Sequence, residues 1–298
     1  MDINIIGVPI YYGADKRGPE YGPEKLREKK VASVLSKYNN KVYDMGDIHV
    51  PDVKDYDKFF SHANLKYLDA IMEVNKNLAH TVYSSLMSES FPLVIGGDHS
   101  IALGSISGVS RAHKNFAVVW MDAHGDINTQ DTSGSGNIHG MPLAKLMNVG
   151  HEGLTNVYFQ GQKVKPENVF IIGARDLDLG EIALIDKMKL NVYSADEIIE
   201  KGINEVMQAV MNKLKVNHVE AIHLSFDLDF IDAEFVPGTG TPVSVGINVD
   251  DTKKALKTLA ESKLIKSMDF VELNVLLDKN DITADLAIDL LDWTFKHM

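Results

Sequence analysis

Three short stretches of this 298-residue chain place acids and histidines at spacings that suit metal chemistry. In Val118-Val119-Trp120-Met121-Asp122-Ala123-His124-Gly125-Asp126, an apolar run with the character of a buried parallel strand turns polar at its carboxyl end. Alternate side chains of extended backbone point the same way, so Asp122, His124 and Asp126 converge if the strand geometry continues a little past Met121. A second apolar run, 92–97, leads into Asp98-His99-Ser100, and a third, 220–229, ends in Asp227 and Asp229, again two apart and on one side. Each stretch taken alone also describes a polar strand-end turn whose carboxylates bond backbone amides. Taken together, they bring two imidazoles and four carboxylates to one edge, and like charges that close are unfavourable without a cation between them. The chain has no cysteine. A transition metal must then be held by His, Asp and Glu, and oxygen-rich ligation with some imidazole suits manganese better than zinc.

The elements that must position these residues alternate from end to end. Strand candidates lie at 3–9, 41–47, 92–97, 116–122, 168–174, 220–229 and 265–273, with helical candidates at 64–89, 100–112, 179–188, 203–215, 250–262 and 283–296. Regular alternation of this kind predicts an α/β fold with a mainly parallel central sheet, helices on its faces and ligands at the carboxyl ends of strands. His99 reaches the edge that holds Asp122, provided their strands are parallel neighbours. The long polar or glycine-rich loops, 127–138 and 230–247, each follow a strand that ends in acids. No Pro-, Gly- or Ser-rich linker, repeat or low-complexity tract divides the chain, so residues 1–298 read as a single domain.

Hydrophobic residues at 45% and charged residues at 24% are ordinary for a folded protein with a sizeable core. A net charge of −12 argues against a nucleic-acid surface and mildly favours a cationic small substrate. The apolar runs fall short of the ~20 residues of a membrane span. The amino terminus lacks a basic lead and cleavage site, so the reading is cytoplasmic, with no membrane partner.

Gly96-Gly97-Asp98-His99-Ser100, Asp122-Ala123-His124-Gly125-Asp126 and Ser225-Phe226-Asp227-Leu228-Asp229 together resemble the three metal signatures of the ureohydrolase family, which includes arginases, agmatinases and formiminoglutamases. The resemblance runs from Gly7-Val8-Pro9 and Gly18-Pro19-Glu20-Tyr21-Gly22-Pro23 to Val271-Glu272-Leu273-Asn274. It implies a three-layer α/β/α fold, two Mn²⁺ ions per subunit and a homo-oligomer, trimer or hexamer. His99, Asp122, Asp126 and Asp227 match the ligands of one ion, and His124, Asp122, Asp227 and Asp229 those of the other, with Asp122 and Asp227 bridging. The chain departs from the family at Phe230-Ile231-Asp232-Ala233, where Gly-Leu-Asp-Pro is usual, and at Gly238, where Ala is common. These departures bear on the shape of that loop and touch no expected ligand.

Within the family the arginases are the nearest fit. Asn128, Ser133, Ser135 and Asn137 match positions that gather the α-carboxylate of an amino acid, Asp178 and Glu181 those that meet its α-amino group, and Thr241 is grouped with these substrate-facing residues. Asp178 and Glu181 also suit a helix N-terminus, where the dipole favours acids. The implied reaction is hydrolysis of L-arginine to L-ornithine and urea by a metal-bridging hydroxide, which Asp126 would aim. Glu272 matches the guanidinium-binding carboxylate and His139 the catalytic histidine that protonates the departing amine. An agmatinase, a formiminoglutamase and a non-catalytic binding protein of the same fold are the alternatives. His49, His62 and His223 lie in no motif and are read as structural.

Overall fold

A computed structural model describes residues 1–298. Its centre is one eight-stranded sheet of β1 (Asp2–Val8), β2 (Lys41–Asp47), β3 (Phe91–Gly96), β4 (Phe116–Met121), β5 (Val169–Ala174), β6 (Asn191–Ser194), β7 (Ala221–Asp227) and β8 (Ile265–Val271). The order is β2-β1-β3-β8-β7-β4-β5-β6, and every pairing is parallel. Around it lie α1 (Gly22–Glu28), α2 (Val31–Ser36), α3 (Leu68–Met87), α4 (Ala102–Ala112), α5 (Pro142–Leu146), α6 (Glu152–Thr155), α7 (Leu179–Met188), α8 (Ala195–Lys201), α9 (Ile203–Val216), α10 (Val249–Glu261) and α11 (Ile282–His297).

Parallel strands need crossovers, and the crossover helices cover both faces, which is why β3, β4, β5 and β7 are buried along their whole length. Alternate strand residues feed two separate cores. Ile3, Ile5, Leu93, Ile95, Val119 and Met121 pack with α2, α9, α10 and α11, whereas Ile6, Val8, Val94, Val118 and Trp120 pack with α3, α4 and α5. The expected three layers follow from that division.

The seven expected strands form, within one or two residues at most of their ends; β6 and the short helices α1, α2, α5, α6 and α8 add to them. Two geometric expectations fail. The strands preceding His99 and Asp122 are not neighbours: β8 and β7 stand between β3 and β4, and the residues share an edge because the whole sheet is parallel. Nor does strand geometry continue from Asp122 to Asp126, since β4 ends at Met121 and Asp126 has φ 51°. A turn, not extended backbone, makes the three side chains converge.

The exit of β3 is tight. A Cβ on Gly97 would lie 1.9 Å from the Ile10 carbonyl oxygen, so only glycine lets the loop after β1 pass beside the turn that carries His99.

Candidate active site

The carboxyl edge of the sheet collects the expected acids and imidazoles. His99 follows β3 on a helical turn that Asp98 caps, its Oδ1 accepting from Ser100 N–H at 2.9 Å and its Oδ2 from Gly13 N–H at 2.8 Å. The His99 ring stacks on Trp120 with centroids 3.9 Å apart, and its Nε2 shares a 2.8 Å hydrogen bond with Ser225 Oγ. That leaves Nδ1 facing inward, 3.0 Å from Asp122, 3.2 Å from Asp126 and 3.1 Å from Asp227, and in hydrogen-bonding alignment with none of them. Beside this group, His124 Nδ1 lies 3.3 Å from Asp122 Oδ1 and 3.1 Å from Asp229 Oδ2. Asp122 thus faces both imidazoles through different oxygens.

Backbone and side-chain donors fix these carboxylates. Asp122 accepts from Trp120 Nε1 and from His124 N–H, Asp227 from Asp229 N–H, and Asp229 from Ala123 N–H and Thr241 Oγ1. Burial and the neighbouring charge of Asp122 push the Asp126 carboxyl up to about 6. Burial together with Asp229 and Asp122 drives Asp227 well above the carboxylate range. Burial opposes charge on His99, but the carboxylates around it win and raise its pKa well above the imidazole value. Such a cluster either takes up protons or holds cations.

Two groupings have potential ligand atoms within 4.8 Å of one another: His99, Asp122 and Asp227, and Asp122, His124 and Asp229. The inward, unpartnered Nδ1 of His99 and the hard, oxygen-rich donor set suit a divalent cation. The structure brings Asp122 to both groupings, Asp227 only to the first, and Asp126 next to His99 but outside both.

Above the cluster opens a cavity of about 340 Å³ whose 14 lining residues include no hydrophobic one. Asp126, Asn128, Ser133, Ser135, Asn137, His139, Asp178, Glu181 and Thr241 all line it. Local folding explains their positions. Asp178 and Glu181 form a capping box at the start of α7, with Asp178 N–H donating to Glu181 Oε2 at 2.9 Å, and Glu181 Oε1 accepts from Ile127 N–H at 3.1 Å. Burial raises Glu181 to about 7. Asn128 Nδ2 donates to Asp178 Oδ2 at 2.8 Å and ties the loop after β4 to that helix. Ser133 and Ser135 accept from Gly136 and Asn137 N–H, which shapes the next turn. The Asn137 amide donates to Ala14 O and accepts from Lys66 Nζ.

Glu272 lies under the cavity, not in its wall, and has φ 65°, a left-handed conformation that costs about 1–3 kcal/mol in a residue with a side chain. Its Oε1 accepts from His99 N–H at 2.9 Å and meets His139 Nδ1 at 3.3 Å, while its buried Oε2 has no partner. Burial opposes charge on His139, yet Glu272 beside it pushes the imidazole up to about 9.

The sequence reading assigned no role to several residues that build this site. Ser225 was detectable as the inward neighbour, two residues before Asp227, on β7. Asp176, 3.8 Å from His124 Nε2 and in the cavity wall, stands two residues before Asp178 and so shares its side of an extended segment. Arg175 carries no local signal. Its guanidinium donates to the carbonyls of Asp229, Phe230, Ile231 and Val243 and clamps the loop that departs from the family pattern. There Phe230 is fully buried against Phe226 and fills the space over Gly173, where a Cβ would come within 2.5 Å of the ring. Thr241, read as substrate-facing, spends its hydroxyl on Asp229.

A family model described as Arginase family matches residues 1–295. An arginase from Brevibacillus brevis is 44% identical over 294 residues, covering 99% of this chain and 97% of that one. The structure superposes on the native arginase of Bacillus caldovelox with a TM-score of 0.93 at 39% identity, covering 99% of this chain and 98% of that one. An Entamoeba histolytica arginase solved in complex with L-ornithine gives a TM-score of 0.90 at 34% identity, with coverage of 99% and 98%.

Proposed function

The chain belongs to the arginase family, and from that premise we propose that it hydrolyses L-arginine to L-ornithine and urea with two manganese ions at the sheet edge. The observation that carries the substrate is the cavity wall: about 340 Å³ lined by acids, amides, hydroxyls, imidazoles and glycines, with no hydrophobic residue, which suits a short chain bearing charges at both ends. The ornithine bound by the Entamoeba relative has the same α-amino and α-carboxylate groups as the proposed substrate.

His99, Asp122, Asp126 and Asp227 would hold one ion and His124, Asp122, Asp227 and Asp229 the other. When bound, the pair supplies Lewis-acid chemistry that lowers the pKa of a water from ~15.7 toward ~7 and offsets the crowded carboxylates. The side chains do the rest. Asp126 accepts a hydrogen bond from the attacking water and aims it at the guanidinium carbon. Glu272, whose Oε2 has no partner, would receive a guanidinium N–H there, a charge-assisted contact that fixes the carbon for attack. His139, kept protonated at neutral pH by Glu272, gives its proton to the departing nitrogen as the C–N bond breaks, while the adduct's hydroxyl proton passes to Asp126, which releases ornithine as the amine and leaves urea. Asp178 and Glu181 meet the α-ammonium, and Asn128, Ser133, Ser135 and Asn137 the α-carboxylate. Thr241 serves this set by holding Asp229.

Residues 1–298 act as one catalytic unit in a cytoplasmic homo-oligomer, without nucleic-acid or membrane partners; no helix is long and apolar enough to cross a membrane. Stripping the protein with a chelator and restoring Mn²⁺ tests the reading. Urea and ornithine formation from arginine should vanish and return in equal amounts, and activity that survives metal removal would overturn it.

A further inference from the structure

The cavity wall contains Asp126, Asp176, Asp178, Glu181 and Asp227 but no lysine or arginine. These acids and the buried cluster favour the two cationic groups of the proposed substrate. They repel its carboxylate. One Lys or Arg side chain is hydrogen-bonded to a wall residue: Lys66, whose Nζ donates to Asn137 Oδ1 at 2.8 Å.

Lys66 is built into this position. Its backbone N–H donates to the carbonyl of Gly136, so main chain and side chain grip adjacent residues of the substrate loop. Gly136 has φ 73°, and a Cβ there would come within 2.9 Å of the Asn64 carbonyl, so the 64–66 segment and the loop are in close contact. The ammonium is mostly buried and also lies 2.8 Å from Asp15, which takes a second lysine, Lys58, at 2.9 Å. Tyr67 donates its hydroxyl to Asp15 and Asp55 from the same segment. Asp15 is therefore shared between two ammonium groups.

We propose that Lys66 is a positioning residue for amino-acid selectivity, one that turns Asn137 and the rim of the cavity into a receptor for a carboxylate. The proposal rests on the arginine reading above and deepens it. The ammonium holds Oδ1, the end of the amide that would repel a carboxylate, and polarises the NH₂ end. One N–H of that group goes to Ala14 O and one remains to donate. The positive charge also lies well within a Debye length of the rim, about 8 Å at physiological ionic strength, and offsets the acids across the cavity.

The test uses Lys66→Met and Lys66→Arg in the manganese-loaded full chain, with arginine and agmatine as substrates and ornithine and putrescine as calorimetric ligands. In Lys66→Met, kcat/KM for arginine should fall roughly tenfold, chiefly through KM, while agmatine changes much less, so their ratio collapses. Ornithine should bind more weakly and putrescine nearly as before. Lys66→Arg should restore most of the ratio, because it keeps the charge. Equal losses for both substrates, or Lys66→Arg as impaired as Lys66→Met, would overturn the assignment and make Lys66 a structural clamp. If the wild-type protein released no urea from arginine, the proposed function would fail, and the ornithine and putrescine pair would still decide the role of Lys66.

Discussion

The floor and the rim of the cavity are made by different means. The floor comes from the ends of β3, β4, β7 and β8, where His99, Asp122, Asp227, Asp229 and Glu272 are all buried and each is held by backbone amides or by neighbours such as Trp120, Ser225 and Thr241. The rim comes from loops and a helix start, where Ser135, Asp176 and Asp178 are solvent-exposed and Asn128 and Asn137 take their places from loop-to-loop contacts. A sheet edge fixes charges that must not move. Loops can change the substrate while the floor stays as it is. The expected separation is that floor substitutions cost metal and turnover together, and rim substitutions cost discrimination.

The largest effect should come from the floor. Asp122 faces both imidazoles, so Asp122→Asn should lower bound manganese at both positions and reduce urea formation to near background, with metal content read by elemental analysis. Asp227→Asn should do the same if it bridges as proposed. Loss of one ion with the other retained would limit Asp227 to the first grouping, the only one in which the geometry places it, and full metal content and activity would overturn its assignment as a bridge.

His139 sits between floor and rim. It touches Glu272 but no proposed ligand, so His139→Asn should keep its manganese while turnover slows by about 10²–10⁴-fold. Loss of manganese would instead make it a ligand. At the rim, Asn137→Ala should cost arginine roughly 1–3 kcal/mol in kcat/KM and agmatine much less. Losses of the same size would mean that Asn137 serves the loop through Ala14 and Lys66, not the carboxylate.

The smallest effect concerns a buried charge outside both regions. Lys145 is fully buried on α5 with a distant Gln130 Oε1, 3.5 Å away, as its polar partner, and burial pushes its pKa down to about 8 from the ordinary 10.5. Because the unfolded chain binds this proton more tightly, the group penalises folding below about pH 8, and the penalty fades as pH rises toward 10.5. Lys145→Met should therefore raise stability at pH 7 by on the order of 1 kcal/mol, with a smaller gain at pH 10. Denaturant melts at the two pH values measure it, and a loss at pH 7 would assign Lys145 a stabilising role.

Most of the floor was legible because strand chemistry is local. An apolar run that ends in acid announces both the strand and its functional end, as at Met121-Asp122 and Phe226-Asp227. The order of the strands was not, since β8 and β7 enter between β3 and β4 from the far end of the chain. The left-handed backbone of Asp126 and Glu272 escaped for a related reason: neighbours impose it, and although Asp adopts it more readily than most residues, most Asp residues do not and Glu carries no such signal. The rim residues were named through family resemblance, and their supports were not named at all. Lys66 and Arg175 act on loops far away in sequence, through contacts that no periodicity carries.

The central claim is that this floor, under this rim, hydrolyses the guanidinium of an amino acid. Urea release from arginine and agmatine by the manganese-loaded protein, with formamide release from formiminoglutamate measured beside them, tests it most directly. The account predicts a kcat/KM for arginine far above the other two, because a site built to bond a carboxylate leaves its own polar atoms unpaired when agmatine enters, and the acids that meet the α-ammonium repel a substrate with a second carboxylate. A preference for agmatine or formiminoglutamate, or no turnover of any of the three with both metal positions filled, would contradict it.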